Sequence, residues 1–175
     1  VIAYLRTLEP VPHQTDTSYS DFPMSLIINT IPKEANLQPK PEISDRLAYG
    51  KYLVQIAACN DCHTNFEGGK MVGEYMAGGR RFDLPDGSYN ITPNITPHDE
   101  TGIGLWTEGD FVQRFKSFAD SSYTPPLVGK GDYQSYMPWN EYSGMSEEDL
   151  KAIYAYLRSI PPVNNTVIKY NPNSE

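Results

Sequence analysis

Apolar positions fall into helical spacing in three stretches of the chain, and they alternate strand-fashion almost nowhere. In "SDRLAYGKYLVQIAAC", Leu47, Gly50, Leu53, Val54 and Ala57 share one face, with Ser44 at the N-cap position and Asp45 in the first turn. The second stretch, "WTEGDFVQRFKSF", has Phe111, Phe115 and Phe118 as its apolar stripe and Thr107 and Asp110 at the spacing of a capping box. The third opens at Ser146, and Glu147, Glu148 and Asp149 follow where negative charge suits the helix dipole. Its buried face is Leu150, Ile153, Tyr154 and Leu157, and Pro161 and Pro162 stop it. The pattern predicts an all-α domain, three main helices wrapped in long loops. Gly50 costs stability inside a helix, which leaves two readings: close approach by another helix, or a plain surface glycine.

Turn signals dominate the rest. "EGGK", "AGGRRF", "LPDG" and "DETGIG" punctuate residues 64–105, and "TPPLVGKG" and "YMPWNEY" fall in a second loop over 120–145. Residues 10–43 are rich in Pro, Ser and Thr around an apolar island, "FPMSLIINTIP", and read as a linker that packs against something. An internal echo gives the opening residues a meaning. "AYLRTLEPV" from Ala3 and "AYLRSIPPV" from Ala155 agree at six of nine positions. The expected organisation is therefore a closing helix of a preceding, missing domain over 1–11, a packed linker over 12–43, one domain over 44–163, and a C-terminal tail over 164–175. The abrupt start "VIAYLRTL" is expected to be the inside of a longer chain, and membrane association is left to that missing part.

Composition narrows the class. With 175 residues, 39 % of them apolar, the chain suffices for one domain with a hydrophobic core. A formal net charge of −8 with no basic stripe excludes nucleic acid as a partner. No apolar run approaches the length that crosses a bilayer.

The chemistry is concentrated in "AACNDCHTN". Cys59 and Cys62 are the chain's two cysteines, and His63 follows directly. A structural zinc site wants four ligands from separated pairs. Only His13 and His98 could be added, and there is no second CxxC. A thioredoxin-like dithiol opens a helix beside a sheet, whereas this CxxC reads as closing a helix. Haem uses every residue of the motif: each thiol adds to one vinyl group, and the histidine supplies the proximal nitrogen. The sixth position stays open at this point between His98, no ligand, and a methionine. Met71 and Met76 lie close behind the motif, Met24 lies in the linker, Met145 stands before the last helix, and Met137 sits in a segment stiffened by Pro138.

CNDCH, the late methionine segment and "DLKAIYAYLRSIPPV" together resemble class I c-type cytochromes, over roughly Ser44 to Val163. "NITPNITPHDETGIGLWTEGDFVQRFK" and "MPWNEYSGMSEEDLKAIYAYLRSIPPV" look more closely like haem domains of bacterial multi-haem cytochromes c. These include cytochrome subunits of membrane-bound alcohol and sugar-acid dehydrogenases. The resemblance implies the class I cytochrome c fold around one haem c, with thioethers at Cys59 and Cys62, His63 as proximal ligand and Met137 as distal ligand. It also implies a contact between first and last helices at Gly50 and Tyr156. His98 departs from the family, which usually has an acidic residue there.

The implied function is single-electron transfer, with redox proteins as partners: a dehydrogenase, an oxidase or another cytochrome. Phe111, Phe115, Leu150 and Ile153 are the expected pocket lining, and "NITPNIT", Trp106 and Arg80 or Arg81 the expected partners of the propionates. Covalent attachment implies a periplasmic or outward-facing location. The alternatives are a peroxidase- or reductase-like haem enzyme, and a gas or redox sensor with a releasable distal ligand; both need an accessible iron.

Overall fold

The computed structural model describes residues 2–31, 34–129 and 131–172. Val1 of the expected closing helix, Pro32 of the apolar island, Lys130 of the second long loop and residues 173–175 of the expected tail lie outside the described residues. The chain divides into two compact units, Val1–Gln38 and Pro39–Glu175.

The first unit holds helix α1 (Ile2–Leu5) and helix α2 (Met24–Ile27), which runs into a 3₁₀ turn over Ile28–Thr30. These pieces are too short to be stable on backbone bonds alone. Side chains tie them locally: the Asn29 amide donates to the Ser25 carbonyl at 2.9 Å and the Thr30 hydroxyl to the Ile27 carbonyl at 2.7 Å.

The second unit is built on three longer helices, α3 (Arg46–Ile56), α5 (Glu108–Lys116) and α7 (Glu147–Ser159). Two five-residue helices, α4 (Cys59–His63) and α6 (Trp139–Ser143), lie between them. Helices α3 and α7 make the most extensive contact, and α5 packs on α7. Leu53, Val54, Phe111, Phe115, Leu150, Ile153 and Leu157 form the core between these helices. Burying each such side chain contributes roughly 1.5–3 kcal/mol.

Gly50 proves to be a close-approach glycine. A Cβ there would overlap the Ala152 carbonyl oxygen and press on Tyr156 Cβ, so only glycine lets α3 lie this near α7. Tyr49, beside it, is buried, and its hydroxyl donates to Asp149 at 2.7 Å, joining the same two helices.

The start of α3 departs from expectation. Asp45, not Ser44, is the N-cap, and its carboxylate accepts from the Ala48 N–H at 3.1 Å. Serine and aspartate cap about equally well, and the carboxylate adds a negative charge at the positive end of the helix. Leu47 is 51 % exposed, so the buried face is carried by Tyr49, Gly50, Leu53 and Val54. Both halves of the Thr107–Asp110 capping box form, and Ser146 caps α7.

Short strands are an addition to the helical plan. Strands β1 (Phe66–Glu67) and β2 (Lys70–Met71) make a hairpin, and β3 (Arg81–Asp83), β4 (Tyr89–Ile91) and β5 (Tyr170–Asn171) make an antiparallel sheet in the order β3-β4-β5. At two or three residues each they are too short to leave an alternating pattern. Strand β5 brings the segment after α7 back to β4, with Asn90 opposite Tyr170.

Candidate functional site

Helix α3 stops because the chain turns sharply at Ala58, which adopts φ 53, ψ 30 in the left-handed region. A non-glycine residue there is strained and must be held by its surroundings. The Tyr142 hydroxyl donates to the Ala57 carbonyl at 2.6 Å, immediately before the turn. CNDCH therefore forms a helix of its own, α4, rather than closing the preceding one. Within it Cys59 and Cys62 are three residues apart and share a side, and His63 follows.

His63 is 8 % exposed, and its Nδ1 lies 2.8 Å from the Pro93 carbonyl oxygen. A carbonyl only accepts, so Nδ1 carries the proton and Nε2 is left with its lone pair. Burial pushes the His63 pKa down against the pull of that carbonyl, which keeps the ring neutral. The surrounding backbone is fixed with equal care. The Gly78 N–H donates to the His63 carbonyl at 2.7 Å, and Gly78, at φ 76, passes so close to Pro93 that a Cβ would overlap it. The Thr64 hydroxyl donates to Asn60 Oδ1 at 2.6 Å and accepts from the Met76 N–H at 3.0 Å.

Burial pushes the Cys59 thiol up to about 11, and Cys62 is exposed. A redox dithiol needs the opposite shift. Among the described residues, no three His, Cys, Asp or Glu side chains cluster as a metal site. Two thiols on one side of a short helix, followed by a buried imidazole with a free Nε2, are instead a donor set that fits a haem.

The methionines separate by environment. Met71 is exposed, with its sulfur 3.1 Å from the Asn60 amide, and Met24 lies exposed in the first unit. Met76 is wholly buried in the helical core at φ 60. Met145 and Met137 are half-buried against that core. Met137 comes from a segment separate from α4, and α6, which follows it, reaches the motif through Tyr142.

Residues expected near the propionates have other partners. Asn94 and Thr96 belong to a buried knot: Asn94 Oδ1 accepts from the Thr96 N–H at 2.9 Å, and the Asn94 amide donates to the Val163 carbonyl at 2.7 Å. The Arg80 guanidinium donates to the Asp61 carbonyl in α4 and lies between Phe66 and Phe82. Arg81 pairs with Asp83 over the Tyr89 ring. Trp106 is 38 % exposed, and its backbone carbonyl, not its indole, accepts from Tyr154.

His98 has a local job. Its Nδ1 accepts from the Thr101 N–H at 3.2 Å and the Glu100 N–H at 3.3 Å, as a carboxylate would in such a turn.

Sequence reading missed Pro93 as the imidazole's acceptor and Tyr142 as the brace of the turn. "NITP", directly ahead of its own repeat, was the available signal for Pro93.

A helical core with a paired-thiol motif and a prepared imidazole defines a helical haem-binding domain. The chain belongs to the Cytochrome c family, whose pattern it matches over residues 47–161. Covalently bound haem, and electron transfer through it, come with that membership. The chain is 31 % identical over 144 residues to the fructose dehydrogenase cytochrome subunit of Gluconobacter japonicus, covering 79 % of this chain and 27 % of that one. It is 34 % identical over 116 residues to the gluconate 2-dehydrogenase cytochrome c subunit of Pantoea cypripedii, covering 65 % and 23 %. It is 32 % identical over 133 residues to a diheme cytochrome c-type protein of Cereibacter sphaeroides, covering 74 % and 38 %. The matched part thus spans well under half the length of each relative. Among the described residues no helix is long and apolar enough to cross a membrane.

Proposed function

We propose that residues 44–163 form a single-haem electron carrier, with haem c attached through Cys59 and Cys62 and iron held between His63 and Met137. The carrying observation is the His63–Pro93 hydrogen bond, which leaves Nε2 free in a buried, neutral ring. When bound, the haem supplies a ferric–ferrous couple. The protein's own part is to hold still. The Pro93 carbonyl fixes the imidazole tautomer and ring orientation, and the Met137 thioether favours the ferrous state. With His63 and Met137 both given to the iron, no substrate would need to enter and little would need to rearrange.

The relatives named as dehydrogenase cytochrome subunits support a dehydrogenase or a neighbouring cytochrome as redox partner. Membership of the Cytochrome c family, with its covalently attached haem, supports a periplasmic or outward-facing location. The acidic balance of the chain suits a partner with a basic rim.

The test is the ferric absorption spectrum of wild type and Met137→Ala, each then reduced and exposed to carbon monoxide. Wild type is expected to show the weak far-red band of methionine-bound ferric iron and to ignore the gas. The variant is expected to lose the band and bind it. A wild type that binds carbon monoxide would instead favour a haem enzyme or sensor, and an unchanged spectrum in the variant would remove Met137 from the site.

A further inference from the structure

The turn that carries Met137 is tied down more heavily than a surface turn requires, and its ties meet at Trp139. Pro138 sits at φ −78, ψ 69, the geometry of an inverse γ-turn, which the Trp139 N–H closes onto the Met137 carbonyl at 2.8 Å. The Ser135 hydroxyl accepts from the Met137 N–H at 3.2 Å and from the Trp139 indole N–H at 3.3 Å. The indole lies flat on Phe118, with centroids 5.0 Å apart and 8° between the planes, and it meets Phe115 at 5.4 Å. The Arg114 guanidinium lies against both rings, 4.4 Å from the indole centroid and 5.5 Å from that of Phe118.

At the other end of α6, the Lys116 ammonium donates to the Ser143 carbonyl at 2.9 Å and to the Met145 carbonyl. A five-residue helix cannot hold itself in place with its own backbone bonds. Helix α5 and the residues just after it therefore grip α6 at both ends, and the Met137 turn goes where the indole goes.

Resting on Met137 as the distal ligand, we propose that Trp139 is a positioning residue. Its stack on Phe118, with Arg114 against both rings, sets where the Met137 thioether stands, and so whether the sixth coordination position stays closed. A thioether is a weak, neutral ligand, so its retention depends on the shell that presents it. Trp139 acts through Pro138, the one residue between it and Met137.

The experiment uses the haem-loaded protein as wild type, Trp139→Leu, Trp139→Tyr and Met137→Ala. Each is read by the ferric far-red band, carbon monoxide binding when reduced, midpoint potential and far-ultraviolet circular dichroism. Trp139→Leu is expected to lose the band, bind carbon monoxide stoichiometrically and show a lower potential, with its helical signal kept. Trp139→Tyr keeps a ring on Phe118 and is expected to restore the band and exclude the gas. If Trp139→Leu keeps the band and excludes the gas while Met137→Ala does neither, the positioning role is overturned and the ligand reading stands. If Met137→Ala keeps the band, the ligand reading falls and the proposal with it. Should Trp139→Leu lose its helical signal, Arg114→Met decides, since it removes the cation that lies against both rings and leaves the core aromatics in place. Carbon monoxide binding by this variant supports the role, and exclusion of the gas, as in wild type, overturns it.

Discussion

His63 shows how much one residue depends on atoms far from it in sequence. Its residue type and place in CNDCH were legible from the chain, because the haem chemistry uses each member of the motif. The acceptor that sets its tautomer was not, since a backbone carbonyl at Pro93 carries no side-chain signature and lies 30 positions away. Gly50 was half legible: the misfit of a glycine within a helical pattern left a close approach or a surface position open, the resemblance implied the contact, and the contact exists. Its substitution gives a sharp test. Gly50→Ala gains about 1 kcal/mol of helix propensity. The added Cβ, however, meets the Ala152 carbonyl, which is backbone and cannot swing away. Overpacking of this kind costs about 1–3 kcal/mol, and forcing two helices apart lies at its upper end. Urea denaturation should show a net loss of stability, and a variant as stable as wild type would mean that α3 and α7 are not held this close.

At the scale of elements, the helices were readable and the strands were not. Helices α5 and α7 present their apolar residues at a spacing nothing else produces, and their caps are side chains with a recognisable order. The strands are defined by pairing between distant short pieces, which no local pattern records. The misplaced cap of α3 came from two adjacent residues of equal preference, Ser44 and Asp45, of which the structure uses the second. The caps can be checked by substitution. Thr107→Ala should lower stability by about 1 kcal/mol, because it leaves the Asp110 N–H without its acceptor. Ser44→Ala should change little where Asp45→Ala costs a similar amount, and the reverse ranking in denaturation midpoints would restore Ser44 as the cap.

For the whole molecule, the joint between α3 and α7 sets how it meets acid. Burial works to raise the Asp149 pKa, but hydrogen bonds from Tyr49 and Ser146, with Lys40 nearby, outweigh it and leave the carboxyl below its ordinary value. A carboxylate depressed in the folded state lends stability above its unfolded pKa and withdraws it as pH falls through the folded value. The stability gap between wild type and Asp149→Asn should therefore close from about pH 4 downward; a gap that widens in acid would contradict the assignment. The other joint of the second unit, the sheet that β5 completes, has a consequence in time. Tyr89 and Asn171, linked side chain to side chain at 2.8 Å, stand 82 positions apart. During synthesis the Pro93 carbonyl, its neighbour β4 and the whole of CNDCH leave the ribosome long before β5 exists. The cysteines are therefore presented on a chain whose sheet stays unfinished until β5 emerges and closes it.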